Sequence, residues 1–166
     1  MTSTPESASW RVWLLPGVLA AVLLALVAWS TVLVIDRRND DDLDQGAVEV
    51  ARQQAKNFFT LDYRHTDEDI KALLDLSTDE FKEKYAVKQD ELVAAIVKNK
   101  VVETATVPED GAAVEFLSGD RAQVLVAVDV TIASGSRGSE STRPRTRIKL
   151  SRIDGEWLVS DIDQVG

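Results

Sequence analysis

Two kinds of apolar pattern divide the chain. From Val12 to Ile35 it reads VWLLPGVLAAVLLALVAWSTVLVI, 24 residues without a charge. As a helix at ~1.5 Å per residue, this run is roughly 36 Å long and crosses a bilayer core of about 30 Å with some tilt. Arg11 closes one end, and Asp36, Arg37 and Arg38 close the other. Trp10, Trp13 and Trp29 lie near the ends, where indole rings favour the interface. A buried core helix of this length would carry a polar stripe. A cleaved signal peptide has a shorter apolar run, ~7–15 residues, and a small-residue cleavage site. The predicted organisation is a tail over 1–11, a transmembrane helix over 12–35, a charged linker over 36–44 and a folded domain over 45–166.

Beyond the linker the apolar period is first near four and then two. Val48, Ala51, Ala55, Phe58 and Phe59 predict a helix over Gln45–Leu61. A second starts at Thr66, where Thr66 and Asp69 have the spacing of a capping box, and Ile70, Leu73 and Leu74 form its apolar face. A third starts at Ser77, with Glu80 three residues on, presents Phe81, Tyr85, Leu92 and Ile96, and ends near Asn99. Alternation then predicts strands over Val101–Pro108, Ala112–Leu117, Arg121–Ile132, Arg145–Ile153 and Glu156–Val165. Turns fall at Asp110-Gly111, Ser118-Gly119-Asp120 and Asp154-Gly155, and Ser134–Thr142 reads as a mobile hairpin loop. The fold class is α+β: one N-terminal transmembrane helix, then a cone-like domain of about three helices on a curved antiparallel sheet of four to five strands.

Charge and composition narrow the chemistry. The chain holds 19 Lys+Arg against 28 Asp+Glu, a formal net charge of −9. An acidic surface repels phosphate backbones, which argues against nucleic acid as a partner. With no Cys and a single His, His65, there is no thiolate or clustered-histidine metal site to expect. Asp40, Asp42 and Asp44 alternate as in a calcium loop, but Gln45 and Ala51 stand where an EF-hand needs Gly and Glu. No P-loop, dinucleotide fingerprint, HExxH or nucleophile elbow occurs. No cofactor, metal or catalytic residue is expected, and the chain does not read as an enzyme. Asp62 beside Tyr63 could polarise a carbonyl only inside an apolar cone; otherwise the pair ends a helix, with Tyr63 packed on the sheet.

Two sets of side chains remain as candidate contacts. Phe58, Phe59, Tyr63 and Trp157 supply either a lipid or sterol pocket or the core of the domain. Arg143, Arg145, Arg147 and Lys149 alternate along one strand. They form a basic stripe for lipid headgroups or a partner protein, or they pair with neighbouring strands, with Asp129 across the hairpin. Lys and Arg outnumber on the C-terminal flank of the span (Arg37, Arg38, Arg52 and Lys56 against Arg11), which favours a cytoplasmic domain.

Three local sequences carry a family likeness: AKNFFTLDY at Ala55–Tyr63, Thr78-Asp79-Glu80-Phe81 with Asn99-Lys100-Val101-Val102, and DGEWLVSDI at Asp154–Ile162. Behind one N-terminal span, their order resembles the Mce-associated membrane proteins of actinobacteria. The resemblance implies a nuclear-transport-factor-like cone and a non-catalytic role. It implies a protein that assists or stabilises an Mce-type importer of lipids or sterols, with transporter subunits and the bilayer as partners. It also implies a domain outside the cytoplasmic membrane, against the Lys/Arg count. Two rival readings share the anchor-plus-cone layout: a cone that binds a lipid or sterol and hands it on, and an assembly subunit of a secretion or conjugation system.

Overall fold

The computed structural model describes residues 45–135 and 138–165. The predicted span from Val12 to Ile35 and its linker lie outside the described residues. Among the described residues no helix is long and apolar enough to cross a membrane.

Helix α1 covers residues 45–58. Ala47, Ala51 and Ala55 recur every four residues on one face, and all three are fully buried. Their methyl groups let the helix lie close to a valine-rich sheet surface. A Cβ added at Gly46 would meet the Trp157 ring at 3.4 Å, so the first described turn is equally close-packed. The helix stops short of the predicted Leu61. Thr60 turns its hydroxyl onto the Lys56 carbonyl at 2.8 Å, and Leu61–Asp62 extends into a two-residue strand, β1.

Helix α2 covers Thr66–Asp75 and α3 covers Asp79–Asn99. Neither predicted capping box forms as expected. Thr66 is the first helical residue of α2, the cap is His65, and the Asp69 carboxylate instead accepts from the Asp62 backbone N–H at 2.7 Å. Asp67, Glu68 and Asp69 still favour that end through the helix dipole. In α3 the cap is Thr78, whose hydroxyl accepts from Phe81 N–H at 3.3 Å. Ser77 is buried and otherwise engaged: it accepts from Gln54 Nε2 at 3.1 Å and donates to the Leu73 carbonyl at 2.9 Å. Gln54 is fully buried, and its Oε1 has no partner. That orphan acceptor offsets the gain from the amide bond. Gln54→Met, of similar volume, should therefore change stability by less than about 1.5 kcal/mol in a denaturant titration.

The described residues hold eight strands in two four-stranded antiparallel sheets, where one sheet of four to five was expected. The first sheet is ordered β1-β2-β5-β6, with β2 Val101–Thr106, β5 Asp129–Ser134 and β6 Ser139–Thr142. The second is ordered β3-β4-β7-β8, with β3 Ala112–Ser118, β4 Arg121–Ala127, β7 Arg145–Ile153 and β8 Glu156–Val165. The predicted long strand from Arg121 is thus two, divided at Val128, and it passes from the second sheet into the first. Ala122, Val124, Val126, Val128 and Val130 nevertheless form one unbroken buried row through the corner. The last four residues of the segment read as a loop, Ser139–Thr142, pair as β6, because backbone hydrogen bonds need no apolar side chains.

Both edge strands of the second sheet carry a bulge. In β3 the register steps between Val114 and Phe116, and in β8 the extra residue is Ser160. The inward apolar positions show it: 112, 114 and 117 in β3, and 157, 159 and 162 in β8, a spacing of two followed by three. Bulges at edges also hinder strand addition from another molecule. The core lies between α1 and the two sheets, with Trp157, Val159, Ile148 and Leu150 on its second-sheet side.

Candidate functional site

Helix α3 is fastened mainly near its two ends. Phe81 is buried at the first turn and Ile96 near the last, where Lys100 closes the helix in the left-handed region at φ 51°. Strand β8 is held to the N-terminal end of α3: Val159 N–H donates to the Leu76 carbonyl at 2.8 Å, and Thr78 N–H donates to the Val159 carbonyl at 2.9 Å. Between these fastenings α3 leaves an open groove of about 770 Å³. Its floor is apolar: Phe58 from the end of α1, Phe81, Tyr85, Leu92 and Ala95 from α3, and Ile162 from β8. Phe81 and Tyr85 stack at 6.3 Å, and burial pushes the Tyr85 phenol above its ordinary pKa. The rim carries both signs. Lys84 pairs with Glu80 at 2.8 Å, and Asp161 is bound by Lys149 at 2.8 Å. Lys88 and Glu91 also line the groove and make no ion pair among the described residues.

The four candidate aromatics do not share a pocket. Phe59 and Trp157 are buried in the core cluster. Phe58 meets Phe59 edge-on at 5.0 Å and lines the groove. Tyr63 lies apart, under the Arg64 guanidinium at 5.6 Å. Adjacent helical residues point about 100° apart, so Phe58 and Phe59 face different surroundings. Sequence reasoning missed Lys88 and Glu91 as rim groups; their exposure on a helix facing a sheet edge has no local signature.

The basic stripe is largely internally neutralised. Arg143 pairs with Asp129 across the hairpin, with Nη2 at 2.8 Å from Oδ2. Arg147 reaches from β7 over β4 to Glu115 at 2.5 Å. Lys149 bridges Asp161 at 2.8 Å and Asp163 at 2.7 Å. These partners hold the Glu115, Asp129 and Asp161 carboxyls below their ordinary range, chiefly through the side-chain hydrogen bonds. Arg145 is exposed and unpaired among the described residues. Each exposed pair contributes little stability, and such a lattice leaves little free charge for headgroups.

Asp62 does not sit beside Tyr63 in an apolar cone. Its carboxylate takes the Arg64 guanidinium and backbone N–H, and its pKa is drawn down from 3.8 to about 2, chiefly by the Arg64 side-chain hydrogen bond. A depressed folded-state pKa stabilises above the unfolded value, and the contribution disappears as pH falls through about 2. An NMR titration should place the Asp62 carboxyl near 2, and Arg64→Ala should return it towards 3.8. His65 is exposed, 3.8 Å from Glu68. Among the described residues no group of three or more His, Cys, Asp or Glu is placed to hold a metal ion.

The sequence matches the family described as uncharacterized protein Rv1363c/MT1408-like over residues 14–166. The chain belongs to that family. The uncharacterized protein Rv1363c of Mycobacterium tuberculosis (strain ATCC 25618 / H37Rv) is 26% identical over 116 residues, 69% of this chain. The match spans 44% of the length of that relative. Neither description names an Mce transporter. Among solved structures, the periplasmic domain of DotI superposes with a TM-score of 0.61 at 16% identity, covering 74% of this chain and 94% of that one. An IcmL-like type IV secretion system protein from Legionella pneumophila gives 0.58 at 14% identity, covering 71% and 88%. An Ntf2-like protein involved in plasmid conjugation gives 0.51 at 12%, covering 75% and 49%. These likenesses establish the fold, an NTF2-like α+β domain.

Proposed function

We propose that this member of the Rv1363c/MT1408-like family is a membrane-tethered, non-catalytic assembly subunit of an envelope-spanning machine of the secretion or conjugation type. The α3–β8 groove holds an amphipathic helix of a neighbouring subunit. The observation that carries the reading is where the apolar surface goes. The interior is filled by the alanine row of α1, Trp157 and the valine row, while an open trough of about 770 Å³ runs along α3. An open trough with an apolar floor, Lys88 and Glu91 on its rim, matches a helix carrying an apolar ridge flanked by charges of both signs. The fold shared with the DotI periplasmic domain and the IcmL-like secretion protein supports the class of machine. The Mce-type importer implied by the sequence resemblance is the narrower alternative within the same tethered-helper role, and the extracytoplasmic side is part of the proposal.

Two experiments on the full chain test it. Because the protein has no Cys, Glu140→Cys gives a single thiol on exposed β6. A membrane-impermeant maleimide should label it in intact cells with the outer envelope opened; labelling only after the inner membrane is broken would overturn the placement. A photo-crosslinker at Leu92, with Glu140 as the control position, should trap one envelope-machine subunit from Leu92 alone. Adducts only with lipid would favour the cone that hands on a ligand, and adducts with Mce subunits would favour the importer.

A further inference from the structure

We propose that the outer face of the second sheet carries a binding site for an anionic saccharide, formed where the bulges of its two edge strands flank the same cross-strand row. The site is separate from the α3–β8 groove. A depression of about 370 Å³ crosses all four strands, with Phe116 on β3, Arg121 and Gln123 on β4, Lys149 and Ser151 on β7, and Ser160 on β8. The register places them on one face. Phe116 lies opposite Gln123 and Gln123 opposite Lys149, while Arg121 lies opposite Ser151.

The bulge in β3 puts Phe116 there. Ala112 and Val114 pair with the buried Val126 and Val124, so regular alternation would turn residue 116 inward. The extra residue turns it outward instead, and Leu117, opposite Ala122, takes the inward position. Phe116 is left 43% exposed, which forgoes apolar burial that the core could have gained. The bulge in β8 adds Ser160 at the opposite side of the same depression, where its hydroxyl donates to the Lys149 carbonyl at 3.2 Å and keeps its lone pairs.

The chemistry follows from what lines the depression. An exposed aromatic face accepts the C–H face of a sugar ring. The Gln123 amide and the Ser151 hydroxyl can each donate and accept, and the Ser160 hydroxyl can accept, as a ring of hydroxyl groups requires. Among the described residues no carboxylate lines the depression, although the chain carries −9 overall. Lys149 is committed to Asp161 and Asp163, whereas Arg121 makes no ion pair among the described residues and is left to take a carboxylate. Sugar face, hydroxyls and carboxylate together describe a uronate-type saccharide.

The full chain, in a detergent without sugar headgroups, would be titrated with a tetrasaccharide of alternating glucuronate and N-acetylglucosamine, and with the neutral N-acetylglucosamine tetramer. Saturable calorimetric binding of the uronate sugar is expected, about tenfold tighter than of the neutral one. Arg121→Gln should abolish that preference and retain weak binding of both. Phe116→Leu keeps apolar bulk without an aromatic face and should weaken both about tenfold, while Phe116→Tyr restores them. Thermal melts distinguish lost binding from lost folding. Absence of binding to the wild-type chain, equal affinity in Phe116→Leu, or Arg121-dependent binding of inorganic phosphate with no sugar binding would each overturn the assignment.

Discussion

Trp157→Ala should destabilise the domain by about 3–5 kcal/mol, the usual range for truncating a buried aromatic. The indole is 7% exposed, at the start of β8 and within the core cluster. Its ring meets the backbone of α1 at Gly46 and lies under the Arg152 guanidinium, 6.0 Å from the ring centroid. The first turn of α1 offers little to fill the space: beside Gly46 stands the buried Ala47, which has only a methyl group. Against a total stability of about 5–15 kcal/mol, this loss is a large fraction. A thermal melt of the full chain followed by circular dichroism should fall by roughly 10–20 °C. Trp157→Phe should recover part of it. A loss under about 1 kcal/mol would show that the ring is not a core anchor.

Ala51→Leu should cost about 3 kcal/mol, at the upper end for overpacking. Ala51 is fully buried at the middle of the Ala47–Ala51–Ala55 row, against branched side chains with few alternative rotamers. Three added carbons must push α1 off the sheets or displace the valine row. Ala51→Gly removes one methyl and adds backbone freedom, a cost of about 1 kcal/mol. The larger residue should therefore be worse than the smaller, measured by denaturant midpoint. The reverse order would mean that α1 floats on the sheets.

Much of the architecture is written in residue periodicity. The Phe81–Ile96 spacing gives α3, and the Ser118-Gly119-Asp120 and Asp154-Gly155 turns give two hairpins, whereas the Asp110-Gly111 turn joins strands of different sheets. What escapes is what periodicity cannot encode. Strand β1 has only two residues, and β6 consists of Ser, Glu, Ser and Thr, with no apolar alternation. The division at Val128 is hidden because its inward row continues unbroken from one sheet to the other. Both bulges, by contrast, are visible in retrospect as apolar steps of three within strands. For the site, sequence supplies residue types but not direction: Phe58 faces the trough, Phe59 the core, and Tyr63 neither. The alternating cations are legible, but Arg143 falls before the start of β7 and pairs with Asp129 of β5, and the acids that engage Arg147 and Lys149 come from β3 and β8.

The corner at Val128 has a consequence for how the domain opens. One continuous run of chain belongs to both sheets, so peeling either away tears the β4–β5 junction that the other depends on. Amide protons in β4 and β5 should then exchange with deuterium as one kinetic group, limited by global unfolding, while β6 at the margin exchanges earlier.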